Sequence, residues 1–216
     1  MRVVIAGGHG QIALRLERLL AARGDQAVGI IRKPEQAADL RDSSAEPVVL
    51  DLETAELDAV AEVLQGADAA VFAAGAGPGS GSARKDTVDR GAAALFAEAA
   101  ERAGVRRHLQ VSAMGLDRAD EPGMDEVFSV YLKAKAAAED DLRARDLDWT
   151  ILRPGRLTDD PGTGQVHLAE SVDYGTITRD DVAAVLVALL DESRTVGRTL
   201  ELVEGHTPIE EALERI

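Results

Sequence analysis

Short runs of β-branched and aliphatic residues alternate along the chain with longer stretches in which apolar residues recur every three or four positions. The first run, residues 2–7 (RVVIAG), is unbroken and ends in glycine, the pattern of a strand buried on both faces. Residues 11–24 follow, with Ile12, Leu16, Leu19 and Leu20 on one helical stripe and Gly24 as the stop. The pair of patterns then repeats. Strands are predicted at 27–32, 47–52, 67–77, 105–113 and 147–155, and helices at 55–66, 86–104 and 125–146. Strands that alternate with crossover-length helices form a parallel sheet covered on both faces. The expected fold class is therefore α/β, a doubly wound parallel sheet (Rossmann fold) of about six or seven strands.

The rhythm changes after Gly155. Residues 156–175 are turn-rich, with Asp160, Pro161, Gly162 and Gly164, and have room for one or two short strands. A helix is predicted at 179–192, with Thr178 as its N-cap and acids in its first turn. A late strand (198–203) and a short helix (208–216) complete the pattern. Residues 1–216 are expected to form a single domain, with 156–216 contributing a small C-terminal lobe.

Composition narrows the function classes. The chain has 216 residues, 24 Lys+Arg against 39 Asp+Glu, and a formal net charge of −15. Its 45% hydrophobic content argues against disorder. The acidic balance disfavours nucleic acid and membrane surfaces as partners. With Cys 0 there is no disulfide framework, thiolate metal site or cysteine nucleophile. The longest apolar run, Val182 to Leu190, is too short for a bilayer span, and the N-terminal run is too short for a signal-peptide core. A cytoplasmic protein acting on a small molecule is expected.

The first strand runs into Gly7-Gly8-His9-Gly10-Gln11-Ile12-Ala13. The segment satisfies G-x-G-x-x-A through Gly8, Gly10 and Ala13, and G-x-x-G-x-x-A through Gly7, Gly10 and Ala13. Residues without a Cβ permit a tight strand-to-helix turn and let the backbone approach a pyrophosphate, while a small third residue lets the helix pack on the strand. The helix N-terminus then offers unpaired N–H groups and its positive dipole end to phosphate. A glycine trio between a strand and an amphipathic helix predicts dinucleotide binding. An NAD site usually carries an acid at the end of the second strand, but here that place holds Arg32 and Lys33. A guanidinium can clasp a 2′-phosphate, so NADP(H) is favoured over NAD(H). Asp51 and Leu52, after the third strand, are expected to border the adenine. Ala73, Ala74 and Gly75, after the fourth, are small enough to let ribose and diphosphate pass.

Tyr131 and Lys135 form Y-x-x-x-K, which places both on one helical face. A cation beside a phenol favours the phenolate, so Tyr131 is the expected acid/base and Lys135 its activator and a ribose ligand. Ser112 ends the fifth strand, on the carboxyl edge where such sheets bind ligands, and is expected to orient a substrate carbonyl.

Together these segments resemble the short-chain dehydrogenase/reductase superfamily. Within it they are similar to the atypical and extended branch of NAD(P)H-binding proteins: the NmrA-like group, flavin/biliverdin reductases and nucleotide-sugar epimerases. The resemblance runs over nearly the whole chain, from VVIAGGHGQIA through YLKAKAAAEDDLRARDLDWTILRPG to ITRDDVAAVLVALL. It implies that Gly7, Gly10 and Ala13 form the phosphate loop, that Arg32 meets the 2′-phosphate, and that Ser112, Tyr131 and Lys135 form the reaction centre. It also implies that the Arg153-Pro154-Gly155 segment lies over the nicotinamide, so Pro154 is a cofactor-contact candidate. Epimerase relatives carry further Ser/Thr after the strand-five serine, where this chain has Ala113 and Met114.

The remaining polar features carry structural readings. His9, His108, His167 and His206 lack metal-ligand spacing. His9 lies in the phosphate loop, where its backbone is expected to matter more than its ring. Asp159-Asp160 reads as a solvated turn, Arg106 and Arg107 as the exposed start of a strand, and Trp149 as core. The leading functional expectation is an NADP(H)-dependent oxidoreductase that moves hydride to or from a small carbonyl or conjugated ring. The alternatives are a redox sensor that binds NADP(H) and signals to a protein partner, and an epimerase or dehydratase that uses NAD(P) catalytically.

Overall fold

A computed structural model describes residues 1–77 and 81–216. In its first half, strands β1 (Arg2–Ala6), β2 (Gln26–Ile31), β3 (Glu46–Val49) and β4 (Ala69–Phe72) alternate with helices α1 (Gln11–Arg23), α2 (Ala37–Asp42) and α3 (Leu57–Leu64). Helix α4 (Gly81–Arg84) leads through a π-helical stretch, Lys85–Ala92, into α5 (Ala93–Ala103). Next come β5 (Arg107–Val111), α6 (Glu126–Arg143), β6 (Asp148–Pro154), β7 (Arg156–Thr158), β8 (Gln165–Ala169) and β9 (Thr176–Thr178). The chain ends with α7 (Arg179–Leu190), β10 (Arg198–Glu204), β11 (Thr207–Pro208) and α8 (Ile209–Glu214).

Among the described residues the main sheet has nine strands, in the order β11-β8-β10-β6-β5-β4-β1-β2-β3. The seven from β10 to β3 run parallel, and β8 and β11 extend the β10 edge antiparallel. This is the expected doubly wound α/β sheet. The chain adds β2 and β3 on one side of β1, then crosses to add β4 on the other. That reversal opens a crevice at the carboxyl ends of β1 and β4, where ligands bind in such sheets. Residues 156–216, the expected lobe, supply the β10-β8-β11 edge, the two-stranded β7-β9 ladder, and α7 against α1.

β1 shows why the sheet is buried on both faces. Val3 and Ile5 join a core with α1 and α7, whereas Val4 and Ala6 join a second core with α3 and α5. All four are fully buried. The helix stripe on α1 differs from the sequence expectation at one position. Ile12, Leu16 and Leu20 are buried, but Leu19 is 39% exposed, and Ala13 and Glu17 are buried instead. The buried face of α1 is rotated towards the side where Gly8 and Gly29 leave room for the helix.

Arg107 also departs from expectation. Its guanidinium turns inward and donates to the Asp148 carbonyl (2.9 Å), Thr150 Oγ1 (2.9 Å) and Thr195 Oγ1 (3.1 Å). It thereby ties β6 to the segment after α7, while Arg106 stays outside with Asp146 and Asp148. Thr178 does cap α7, accepting from Asp181 N at 3.0 Å. The buried Asp181 carboxylate accepts from Thr163 N (3.0 Å), Gly164 N (2.8 Å) and Thr178 Oγ1 (2.9 Å), which fixes the preceding turn to the helix start. Among the described residues no helix is long and apolar enough to cross a membrane.

Candidate functional site

The loop from β1 to α1 sits at the crevice. Gly7 has φ +81°, and a Cβ there would lie 2.6 Å from Ala74 Cα, so only glycine lets this turn pass the end of β4. Gly8 and Gly29 meet backbone to backbone: a Cβ on Gly8 would lie 2.7 Å from Gly29 Cα. Gly8 N donates to the Ile30 carbonyl (2.9 Å), and Gly10 N to the Gly7 carbonyl (2.8 Å). Gly10 is the N-cap of α1 and supplies no capping side chain. The first-turn amides of α1 are thus left for an external acceptor, as a bound diphosphate requires.

Gly7, His9 and Gly10 form one wall of a cleft of about 230 Å³. Ala73, Ala74 and Gly75 form the second wall, and Arg32, Asp51 and Leu52 lie at its far end. These nine residues are expected cofactor positions that the fold brings together. Gly8 packs on Gly29 beneath the loop, Ile12 points into the core, and Gln11 accepts from Arg15 at 2.9 Å. Lys33 extends towards Glu35 at 3.9 Å. The His9 ring takes a part that the sequence did not suggest. Its Nε2 lies 2.7 Å from Asp39 Oδ2 and its Nδ1 lies 3.2 Å from Gln36 Nε2, so the imidazole fastens the phosphate loop to the segment after β2.

The far end of the cleft carries a cluster of charges. Arg84 Nη2 lies 2.7 Å from Glu53 Oε2, and Arg32 Nη1 lies 3.6 Å from the same oxygen. Thr87 Oγ1 donates to Glu53 Oε1 at 2.7 Å. The Arg84 hydrogen bonds hold the Glu53 carboxyl below its ordinary range despite partial burial. Arg84 and Glu53 were not anticipated. Glu53 follows β3 and Arg84 ends the short helix α4, and no periodic pattern in the sequence brings the two together.

Beyond the Ala73–Gly77 loop, the π-helical stretch packs against α6. Lys135 is 4% exposed and Asp89 fully buried, with Lys135 Nζ 3.3 Å from Asp89 Oδ1. Lys135 Nζ also donates to the Val111 carbonyl at 3.2 Å. Asp89 Oδ2 accepts from Ala76 N at 3.3 Å, so one carboxylate holds both the lysine and the cleft loop. Asp89 lies in the π-helical stretch, on the buried stripe continued by Ala93 and Ala97. An acid four residues before a buried alanine was the signal that could have revealed it.

Tyr131 stacks on Phe128 (ring centroids 5.8 Å apart) and has Lys85 Nζ 5.0 Å from its ring centroid and Lys135 Nζ 5.9 Å from it. The expected activation by Lys135 is not what this geometry gives. Burial, and then the Asp89 carboxylate, push the phenol well above its ordinary value. Lys135 is engaged by Asp89 and lies by the ring of Tyr131. The phenol is thereby held in its neutral form.

Ser112 is 4% exposed, and its Oγ is enclosed beside the Glu139 carboxyl. It continues a buried polar row on one face of β5, after His108 and Gln110, whose side chains have no hydrogen-bond partner among the described residues. Beside the row, Arg153 donates to Glu139 at 2.9 and 2.6 Å. Burial raises the Glu139 carboxyl, but hydrogen bonds from Arg153 and Ser112, with the Arg143 charge, outweigh it and hold it below its usual value. Pro154 is buried at the end of β6, where its carbonyl accepts from Met114 N at 3.1 Å. Ser112, Lys135 and Pro154 therefore lie outside the cleft wall itself.

Residues 7–193 match the model of a family described as NAD(P)H-binding. The chain belongs to the NAD(P)H-binding family. The resemblance to atypical short-chain dehydrogenase/reductases is thereby borne out. The chain is 40% identical, over all of both proteins, to a Bacillus subtilis (strain 168) protein named "Uncharacterized sugar epimerase YhfK". A Bacillus halodurans structure, provisionally named an NAD-dependent epimerase/dehydratase, superposes with TM-score 0.92 at 35% identity and 100% coverage of both chains. The oxidoreductase ylbE of Lactococcus lactis superposes with TM-score 0.85 at 27% identity, covering 100% of this chain and 96% of that one. Members of this family with these folds are oxidoreductase-like and epimerase-like.

Proposed function

We propose that this protein is an NADP(H)-dependent oxidoreductase that reduces a small carbonyl or a conjugated ring. The observation that carries the reading is one cleft lined by both the uncapped start of α1 and Arg32. Behind its Ala76 wall, Asp89 hydrogen-bonds Ala76 N and pairs with Lys135, on the helix that carries Tyr131. Gly7 and Gly10 would admit the diphosphate, Asp51 and Leu52 would flank the adenine, and Arg32 would meet the 2′-phosphate. When bound, the reduced nicotinamide supplies the hydride. Lys135, oriented by Asp89 and the Val111 carbonyl, would hold the neighbouring ribose. Tyr131 would donate its phenolic proton to the oxygen or nitrogen that gains charge as hydride arrives.

A neutral phenol can give the proton that reduction of a carbonyl consumes. The test follows absorbance of reduced nicotinamide with quinones, flavins and aldehydes as acceptors. Tyr131→Phe is expected to cut turnover by roughly a hundredfold or more while leaving cofactor affinity within about twofold. Equal turnover in the two proteins would remove Tyr131 from the chemistry.

One observation favours a second reading. The Ser112 hydroxyl is enclosed, so no strand-five hydroxyl on this chain reaches a substrate carbonyl in this geometry. A redox sensor that binds NADP(H) and reports it to a partner protein needs only the cleft. Tight cofactor binding with no turnover on the whole acceptor panel would select the sensor.

A further inference from the structure

The charged cluster at the adenosine end gathers two guanidiniums and a hydroxyl around a single carboxylate. Arg32 comes from the end of β2, Arg84 from α4 and Glu53 from the loop between β3 and α3, and all three line the cleft. The two guanidiniums approach the same oxygen, Glu53 Oε2, at 3.6 and 2.7 Å. Arg84 Nε also approaches both carboxylate oxygens, at 3.5 and 3.3 Å, and the Thr87 hydroxyl takes Oε1 at 2.7 Å. Two planar cationic forks and a hydroxyl thus converge on one small anion at the mouth of a cleft. That is the donor set that a tetrahedral oxyanion would use, with Glu53 standing in its place.

We propose that Arg84 is a second 2′-phosphate residue and that Glu53 is its internal place-holder, which sets the discrimination between NADPH and NADH. This rests on the reading of the cleft as an NADP(H) site. The chemistry separates the two cofactors. A 2′-phosphate carries close to two negative charges and three strong acceptor oxygens, so it can engage Arg32 and Arg84 together and displace the singly charged carboxylate. A 2′-hydroxyl is neutral and cannot compete for Arg84. With NADH the Arg84–Glu53 pair therefore stays closed, and Glu53 is free to accept from the ribose hydroxyl. Glu53 opposes the 2′-phosphate by charge and favours the 2′-hydroxyl, whereas Arg84 does the reverse. Thr87 steadies Glu53 without changing the charge balance.

The test uses calorimetric titration of the full chain with 2′-phospho-ADP-ribose and with ADP-ribose. These fragments lack nicotinamide and share the adenosine, diphosphate and ribose, so the difference between them reports the 2′-phosphate contact alone. Wild type is expected to prefer the 2′-phosphate form. Arg84→Ala should weaken that form by roughly tenfold or more and leave ADP-ribose within about twofold. Glu53→Gln, which keeps an acceptor for Arg84 and removes the charge, should tighten 2′-phospho-ADP-ribose several-fold. Arg84→Lys, which keeps the charge and loses the fork, should fall between wild type and Arg84→Ala, and it serves if the alanine variant folds poorly.

Equal losses for both ligands in Arg84→Ala, or no loss for either, would overturn the role of Arg84. Weaker 2′-phosphate binding in Glu53→Gln would overturn the place-holder. Arg32→Ala separates the two levels. If it abolishes the preference while Arg84→Ala preserves it, only this inference falls. If wild type shows no preference at all, the NADP(H) reading falls with it.

Discussion

At the scale of single residues, the informative groups are those whose burial contradicts their charge. Glu17 is fully buried on α1, neither of its carboxylate oxygens has a hydrogen-bond partner among the described residues, and burial pushes its carboxyl up to about 8. His108 is fully buried, and burial pulls its imidazole down to about 3. The two act on stability with opposite signs. Between pH 3 and 6.5 the unfolded chain binds more protons at His108 than the folded one, so stability rises with pH. Between about pH 4.5 and 8 the folded chain binds more protons at Glu17, so stability falls with pH. Above pH 6.5 only the Glu17 effect remains of the two. Wild type is therefore expected to lose roughly 2 kcal/mol between pH 6.5 and 8 in chemical denaturation, and Glu17→Gln should flatten that slope. An unchanged slope in the variant would show that Glu17 does not carry it. Single residues were legible when their role follows from residue type. Arg32 and the glycines of the phosphate loop were visible because few side chains can do their work. Asp89 and Glu53 were not, because an acid's partner depends on where distant segments meet. Tyr131 and Lys135 were found as a pair, but burial, and then Asp89, raise the phenol instead of lowering it, and no local pattern ties Asp89 to them.

At the scale of elements, the β1-loop-α1 unit is where local sequence and tertiary packing agree most closely. Gly7 takes a left-handed turn under Ala74, and Gly29 faces Leu40 Cδ2 at 2.4 Å and Glu17 Oε1 at 2.7 Å from where its Cβ would stand. Gly7→Ala should abolish cofactor binding through the displaced loop, with a stability loss of about 1–3 kcal/mol. Retention of wild-type affinity would show that the loop can be rebuilt without that turn. Most strands and helices were legible from periodicity, because a buried parallel strand and an amphipathic helix leave different repeats. The π-helical stretch was not, since the 86–104 pattern reads as one regular helix. Its wider turn matters to the site because it carries Asp89 inward to Lys135. The edge strands β8 and β11 were hard to place for another reason. They are short, and their antiparallel pairing with β10 and each other is decided by the edge that β10 leaves open.

At the scale of the whole molecule, the −15 net charge and the cleft pull an anionic dinucleotide in opposite directions. Repulsion acts over many ångströms and is screened by salt, whereas Arg32 and Arg84 act at contact. Stopped-flow binding of NADPH should therefore show an association rate that rises as salt is added from low ionic strength, while the dissociation rate also rises. An association rate that falls with salt would mean that the cleft's cations dominate the far field. The crossing from β3 to β4 that creates the cleft was implied by the alternation of strands and helices, but the strand order was not, because order depends on which edge each crossover reaches. The central claim is that the glycine loop and the carboxyl edge of the sheet hold a nicotinamide dinucleotide. Isothermal titration of the purified chain with NADPH and NADH tests it most directly. The account predicts saturable one-to-one binding of NADPH, tighter than NADH, that disappears in Gly7→Ala. No heat with either nucleotide, together with no rise in melting temperature, would contradict it.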